Sequence, residues 1–155
     1  MDCTRCTEKG CRVSQPCTDR SIGYINQYHT EEVQAVTRAA SMLMDDGRAG
    51  ILNRLEEIVE YANLKGYRIL GVAYCYGMEQ EAGLLRDYLQ KEGFKTVMVS
   101  CTVDGIPECE VNTTKAGQSV SCNPIGQANA LNRSSAEFTI LMGLCLGHDI
   151  LIQKN

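Results

Sequence analysis

No run of apolar residues in this 155-residue chain reaches the roughly 20 residues that a membrane-spanning helix needs. The opening MDCTRC carries no apolar core of a secretion signal either. A cytoplasmic protein that does not enter the membrane is therefore expected. Charge of one sign is also scarce. The 15 Lys and Arg against 19 Asp and Glu leave a net charge of -4, and the basic residues are scattered, which argues against a dedicated nucleic-acid surface. Nucleotide motifs are missing as well, since the glycines of YCYGM and PIGQA form neither GxGxxG nor a P-loop. There is no internal repeat and no low-complexity tract. The length suits one compact domain with an appendage.

Cysteine, by contrast, is abundant: the chain has nine. An odd number fits poorly with a fully disulfide-bonded protein, and in a reducing compartment a dense cysteine pattern leans toward metal or redox chemistry. Four of the nine, Cys3, Cys6, Cys11 and Cys17, fall in CTRCTEKGCRVSQPC. This stretch is short, polar and free of aromatics, so it cannot build a hydrophobic core. Thiolates gathered on one ion or cluster would fold it instead. Structural zinc sites usually pair two C-x2-C hairpins, whereas here only Cys3 and Cys6 form one. The unequal later gaps suit the wider corners of a 4Fe–4S cube. Zinc is the alternative, and uncoordinated thiols are the bland reading.

Three segments are expected: a cysteine-rich segment at 1–22, a helical region at 23–66 and a parallel α/β region at 67–155. Thr30 caps a helix whose first turn carries Glu31 and Glu32, and Gly47 offers its stop. A second helix places Ile51, Leu52, Leu55, Ile58, Val59 and Ala62 on one face and ends at Gly66. From Tyr67 the period changes. YRILGVAYC, FKTVMVSC and FTILMGLC read as strands, separated by a helix through Met78, Ala82, Leu85 and Leu89 and by a helix starting at Asn123-Pro124. GHDILIQ begins a last helix. The stretch from Cys101 to Ser121 is a long loop, of a length that suggests function. This order argues for a small open parallel, Rossmann-like sheet with flanking helices.

In that reading Cys75, Cys101 and Cys145 end the three strands, Cys122 precedes a helix start, and His148 follows Cys145 by three residues. The carboxyl ends of parallel strands open on one edge, so four thiols and an imidazole would meet in one crevice. Burial as a small hydrophobe explains any single cysteine but explains four equivalent positions poorly. Such donors suit iron–sulfur, zinc or copper. A nucleophilic thiol assisted by His148, with Asp149 as its orienting partner, is the other option. Cys109 has no evident partner. His29 reads as a solvated residue at a helix start, and Tyr74 and Tyr76 as packing residues.

The stretch C-x2-C-x4-C-R resembles the cluster-binding segment of carbon monoxide dehydrogenases. Hybrid-cluster proteins are similar in their final five-residue gap but have a longer middle spacing. Through SCNPIGQANALN, GLCLGHDILI and the cysteine-ended strands, residues 3 to 155 resemble a prokaryotic family of uncharacterised metal-binding proteins. That resemblance implies metal binding and places Cys75, Cys101, Cys122, Cys145 and His148 within the family pattern, but it supplies no reaction. Family members run on past the GHD helix into a further apolar strand, so either a short form or a missing C-terminal part is expected here.

The expected function is a metal-binding, iron–sulfur redox protein. A 4Fe–4S centre would sit on Cys3, Cys6, Cys11 and Cys17, and a second metal, cluster or small-molecule substrate in the Cys/His crevice, with an electron-transfer partner. The rivals are a non-catalytic zinc-binding structural or regulatory protein and a thiol-based enzyme.

Overall fold

The computed structural model describes residues 2–18, 23–45 and 48–155. The chain forms two compact units, Met1–Ala49 and Gly50–Asn155.

The first unit begins with two tight 3-10 turns, Cys3–Arg5 and Gly10–Val13. No residue between 2 and 18 is buried, so this stretch has no core of its own. A further 3-10 segment, Tyr24–His29, leads into helix α1, Glu31–Met42. Thr30 caps α1 by accepting the Val33 N–H, and Glu31 and Glu32 sit in the positive first turn. The expected stop at Gly47 and the segment boundary at Ile22 lie outside the described residues.

The second unit opens with α2, Arg54–Lys65. Ile51 and Leu52 precede this helix although their spacing would join them to it. Asn53, in extended backbone, takes the Leu55 and Glu56 N–H groups while the Glu56 side chain accepts the Asn53 N–H, so the helix starts there. Gly66 closes it at φ 73°. Three strands follow, β1 (Ile69–Tyr74), β2 (Lys95–Ser100) and β3 (Phe138–Met142), all parallel in the order β2-β1-β3. Helix α3 (Glu79–Lys91) links β1 to β2. The segment from β2 to β3 contains a short α4 (Glu108–Val111) and α5 (Pro124–Arg133), and α6 (His148–Lys154) comes last. This is the mixed α/β architecture with a small open parallel sheet that the alternation of elements implies.

β1 is central and buried from Leu70 to Ala73, which explains its nearly continuous apolar run. Period-2 alternation then sorts its neighbours. Leu70 and Val72 pack with Ala62 of α2, Leu85 and Leu89 of α3, and Phe94. Ala73 packs with Val99, with Ala128 and Leu131 of α5, and with Ile152 of α6. At Gly71 a Cβ would come within 2.8 Å of the Leu131 side chain and 3.2 Å of Ala136, so glycine lets α5 close onto the strand.

Two local differences from the sequence pattern matter for the site. The third strand ends at Met142, three residues before Cys145, because Gly143 turns the backbone to φ 61°. The segment from Cys101 to Ser121 is also more than a loop: Pro107 bridges Val120, and α4 sits inside the excursion. Among the described residues, no helix is long and apolar enough to cross a membrane.

The chain passes from β1 outward to β2, then returns to the opposite side of β1 to make β3. The direction of winding therefore reverses beside β1. The carboxyl edge at such a reversal is where open α/β sheets form their ligand crevice.

Candidate functional site

Two groups of thiols stand out, one in each unit. In the first unit, Asp2 caps the opening turn by accepting the Thr4 hydroxyl at 2.6 Å and the Thr4 N–H at 3.0 Å. These bonds, the hydroxyl's foremost, hold the Asp2 carboxyl below its ordinary range. The Cys6 N–H donates to the Cys3 carbonyl at 3.4 Å, and the Lys9 ammonium donates to that same carbonyl at 2.6 Å. Lys9 itself is left-handed at φ 48° and reverses the chain into the second turn. There the Gln15 N–H closes on the Gly10 carbonyl at 3.0 Å. As a result Cys3, Cys6, Cys11 and Cys17 all line one concavity of about 480 Å³, together with Lys9 and Arg12. All four are exposed free thiols.

In the second unit the carboxyl edge is built by backbone bonds between distant segments. The Cys101 N–H donates to the Tyr74 carbonyl at 2.9 Å, the Cys75 N–H to the Met142 carbonyl at 3.1 Å, and the Asn123 N–H to the Cys101 carbonyl at 2.7 Å. The first two bonds continue the sheet one residue past its strands, and the third carries the start of α5 to the end of β2. Cys122 consequently meets Cys101: its thiol donates to the Cys101 sulfur across 3.6 Å. The Cys101 sulfur also accepts the Tyr76 N–H at 3.3 Å, and Cys101 is only 2% exposed. Burial, and after it the neighbouring Cys101 sulfur, pushes the Cys122 thiol up to about 11. Cys145 and Cys75 lie close enough to add smaller electrostatic contributions in the same direction.

Cys145 is exposed in the turn after β3, and its carbonyl accepts the His148 N–H at 3.0 Å. His148 is half-buried as the first residue of α6. Asp149 takes the Gly147 and Ile150 N–H groups, each at 2.9 Å, so its carboxylate serves the helix start. At Gly143 an added Cβ would collide with the Met78 side chain, and glycine lets the β3–α6 turn close over the β1–α3 turn. Cys109 lies apart in α4, where the Gln118 amide donates to its sulfur at 3.6 Å.

Sequence reasoning missed Gln127. It is fully buried, and its Nε2 donates to the Val99 carbonyl at 2.9 Å and the Tyr74 carbonyl at 3.2 Å. One amide thus ties the ends of β1 and β2 to α5 beside Cys75, Cys101 and Cys122. Its Oε1 has no hydrogen-bond partner among the described residues. The available signal was a polar residue on the otherwise apolar face made by Pro124, Ala128 and Leu131. Tyr76 was read as a packing residue, yet its ring is exposed and its contribution is the N–H on sulfur.

Among the described residues no three Cys, His, Asp or Glu side chains converge tightly enough to ligate a single ion as they stand. A wider apolar concavity of about 710 Å³ opens over β3 between α2 and α3, but no cysteine or histidine lines it. Cys75, Cys101 and Cys122 lie instead at the carboxyl ends of β1 and β2 and the start of α5, and Cys145 and His148 in the turn after β3.

Comparison with known proteins places the chain. A family described as "Protein of unknown function (DUF1847)" matches residues 13–155. The chain belongs to this family. The matched region includes Cys17, Cys75, Cys101, Cys122, Cys145 and His148, and it starts after Cys3, Cys6 and Cys11. An uncharacterised protein of the archaeon Methanocaldococcus jannaschii is 35% identical over 158 residues, covering 99% of this chain and 81% of that protein. No solved structure matches the chain.

Proposed function

We propose that this DUF1847 member is an iron–sulfur redox protein with two thiol sites. Cys3, Cys6, Cys11 and Cys17 hold a 4Fe–4S cluster. Cys75, Cys101, Cys122, Cys145 and His148 line a second site, at the carboxyl edge of the sheet, for a substrate or second metal. The observation that carries the reading is the first concavity. Four free thiols surround it, in a segment without one buried residue.

The donor set fits the group. Soft thiolates are the ligands that iron–sulfur clusters take. Four thiolates on a cube leave a net negative charge, and Lys9 and Arg12 line the same concavity, where their charges offset it. Coupling to a bound group would also order a stretch that burial alone leaves unsupported. When bound, a cluster of this kind supplies one-electron transfer. The chain's own residues set its surroundings: Lys9 ties down the Cys3 carbonyl, and Asp2 holds the first turn.

Protein purified without oxygen is expected to be brown, with visible absorbance that bleaches under dithionite. Cys6→Ala loses this colour, and protease then cuts the first twenty residues faster. Colourless protein carrying one tightly bound zinc per chain overturns the iron–sulfur reading in favour of a structural zinc site.

A further inference from the structure

The geometry points to a more specific use of the second site: Cys101 and Cys122 form a paired-sulfur seat for one soft d10 cation, with Cys75 and Cys145 positioned to approach it. This inference rests on the reading of the crevice as a ligand site and names its ligand class. It is independent of what the first seventeen residues bind.

The spacing of the pair is the first support. Two thiolates bound at about 2.3 Å to a tetrahedral ion stand about 3.8 Å apart, and the Cys101 and Cys122 sulfurs are 3.6 Å apart. A disulfide needs about 2.05 Å, so the pair is held near the separation of two ligands on one ion. The second support is the environment of the Cys101 sulfur. It is carried on main chain held by a bond on each side, the Cys101 N–H to the Tyr74 carbonyl and the Asn123 N–H to the Cys101 carbonyl. It also receives the Tyr76 amide. An N–H on sulfur is the outer-shell partner that steadies a ligating thiolate. Rotation of the Cys122 thiol proton away from Cys101 leaves both sulfurs free to face one ion.

The remaining donors come from both sides of the winding reversal. Cys75 follows β1 and Cys145 follows β3, which are neighbours in the sheet, and Cys101 follows β2 on the far side of β1. All four positions are thus on one edge. Cys145 is exposed and sits beyond Gly143, so it is the donor with most freedom to move onto an arriving ion. Thiolate softness selects zinc or cuprous copper over magnesium and calcium. Binding replaces thiol protons with the cation, and each proton released goes to solvent. No electron transfer is involved.

The test uses the full chain with Cys3, Cys6, Cys11 and Cys17 changed to Ser, which removes the other thiol group. Co2+ is titrated anaerobically as an optical substitute for Zn2+, and Cu+ is titrated separately against a competing chelator. One equivalent of either ion is expected, with thiolate-to-Co2+ charge-transfer absorbance that Zn2+ abolishes. Outer-shell changes typically cost 10–100-fold in affinity, so Cys122→Ser should cost at least about 100-fold. Cys101→Ser should do the same, but its burial risks the fold, and Cys122→Ser, with circular dichroism of the variant unchanged, decides. Cys109→Ser should bind as the parent does. Binding of neither ion, or binding indifferent to Cys122→Ser, overturns the inference. So does an iron–sulfide cluster assembled on the crevice of the same variant. Anaerobic reconstitution of the unmodified chain tests the N-terminal cluster separately, so either idea can fail while the other stands.

Discussion

Replacing Gln127 by leucine separates its role in positioning from its role in stability. Two hydrogen bonds vanish, to Val99 at 2.9 Å and to Tyr74 at 3.2 Å, at roughly 1 kcal/mol each. The same change removes a buried carbonyl oxygen that has no partner, a desolvation penalty of roughly 1–3 kcal/mol. Leucine nearly matches glutamine in volume, so the fully buried position stays filled. The Tyr74 carbonyl also keeps the Cys101 N–H. The opposing effects cancel to within about 1 kcal/mol. Gln127→Ala loses the same bonds and leaves a cavity, costing about 2–5 kcal/mol in all. Urea unfolding of the metal-free protein, followed by circular dichroism, gives both values. Although Gln127→Leu scarcely alters stability, it unties α5 from the ends of β1 and β2, and iodoacetamide should then label Cys101 faster than in the parent. A loss above about 3 kcal/mol for Gln127→Leu, or unchanged labelling of Cys101, would refute the reasoning.

Two further outcomes follow from the same edge. Cys122, pushed up to about 11 by burial and by Cys101, should alkylate slowly near neutral pH and speed up only as pH climbs toward that value. Because its folded pKa lies above that of an exposed thiol, the protonated form contributes stability that is present at neutral pH and lost as pH rises from about 9 through 11. A pH–rate profile by peptide mapping, with alkaline melts of Cys122→Ala beside the parent, checks both directions. Gly143→Ala should destabilise by about 2–4 kcal/mol, combining a left-handed backbone cost with overpacking against Met78. Thermal melts of Gly143→Ala and of the double variant with Met78→Ala should show partial recovery in the latter.

What was legible in the sequence was short-range. Thr30 and Asn123 as caps, Pro124 at a helix start, Gly66 as a stop and the apolar run of β1 all act within a few residues of themselves. Their physics is complete in a local window, and alternating strands and helices then left few arrangements besides a parallel sheet. The start of α2 was misplaced because apolar Ile51 and Leu52 continue the helical period, while the capping box at Asn53 overrides it. The end of β3 was misplaced because the positive φ of Gly143 is a backbone property that apolar patterning does not register. Cys75 and Cys101 beside strand ends and Cys122 beside a helix start were legible in the sequence, whereas Cys145 falls three residues beyond β3, and the partners of none of them could be read. That Cys122 meets Cys101 across 21 residues, with the Tyr76 amide on the same sulfur, depends on bonds joining β1, β2 and α5. Gln127 clamps those same segments from inside the core. These are contacts between segments far apart in the chain. Only the assembled sheet, with α5 packed over Gly71, brings them within hydrogen-bond reach.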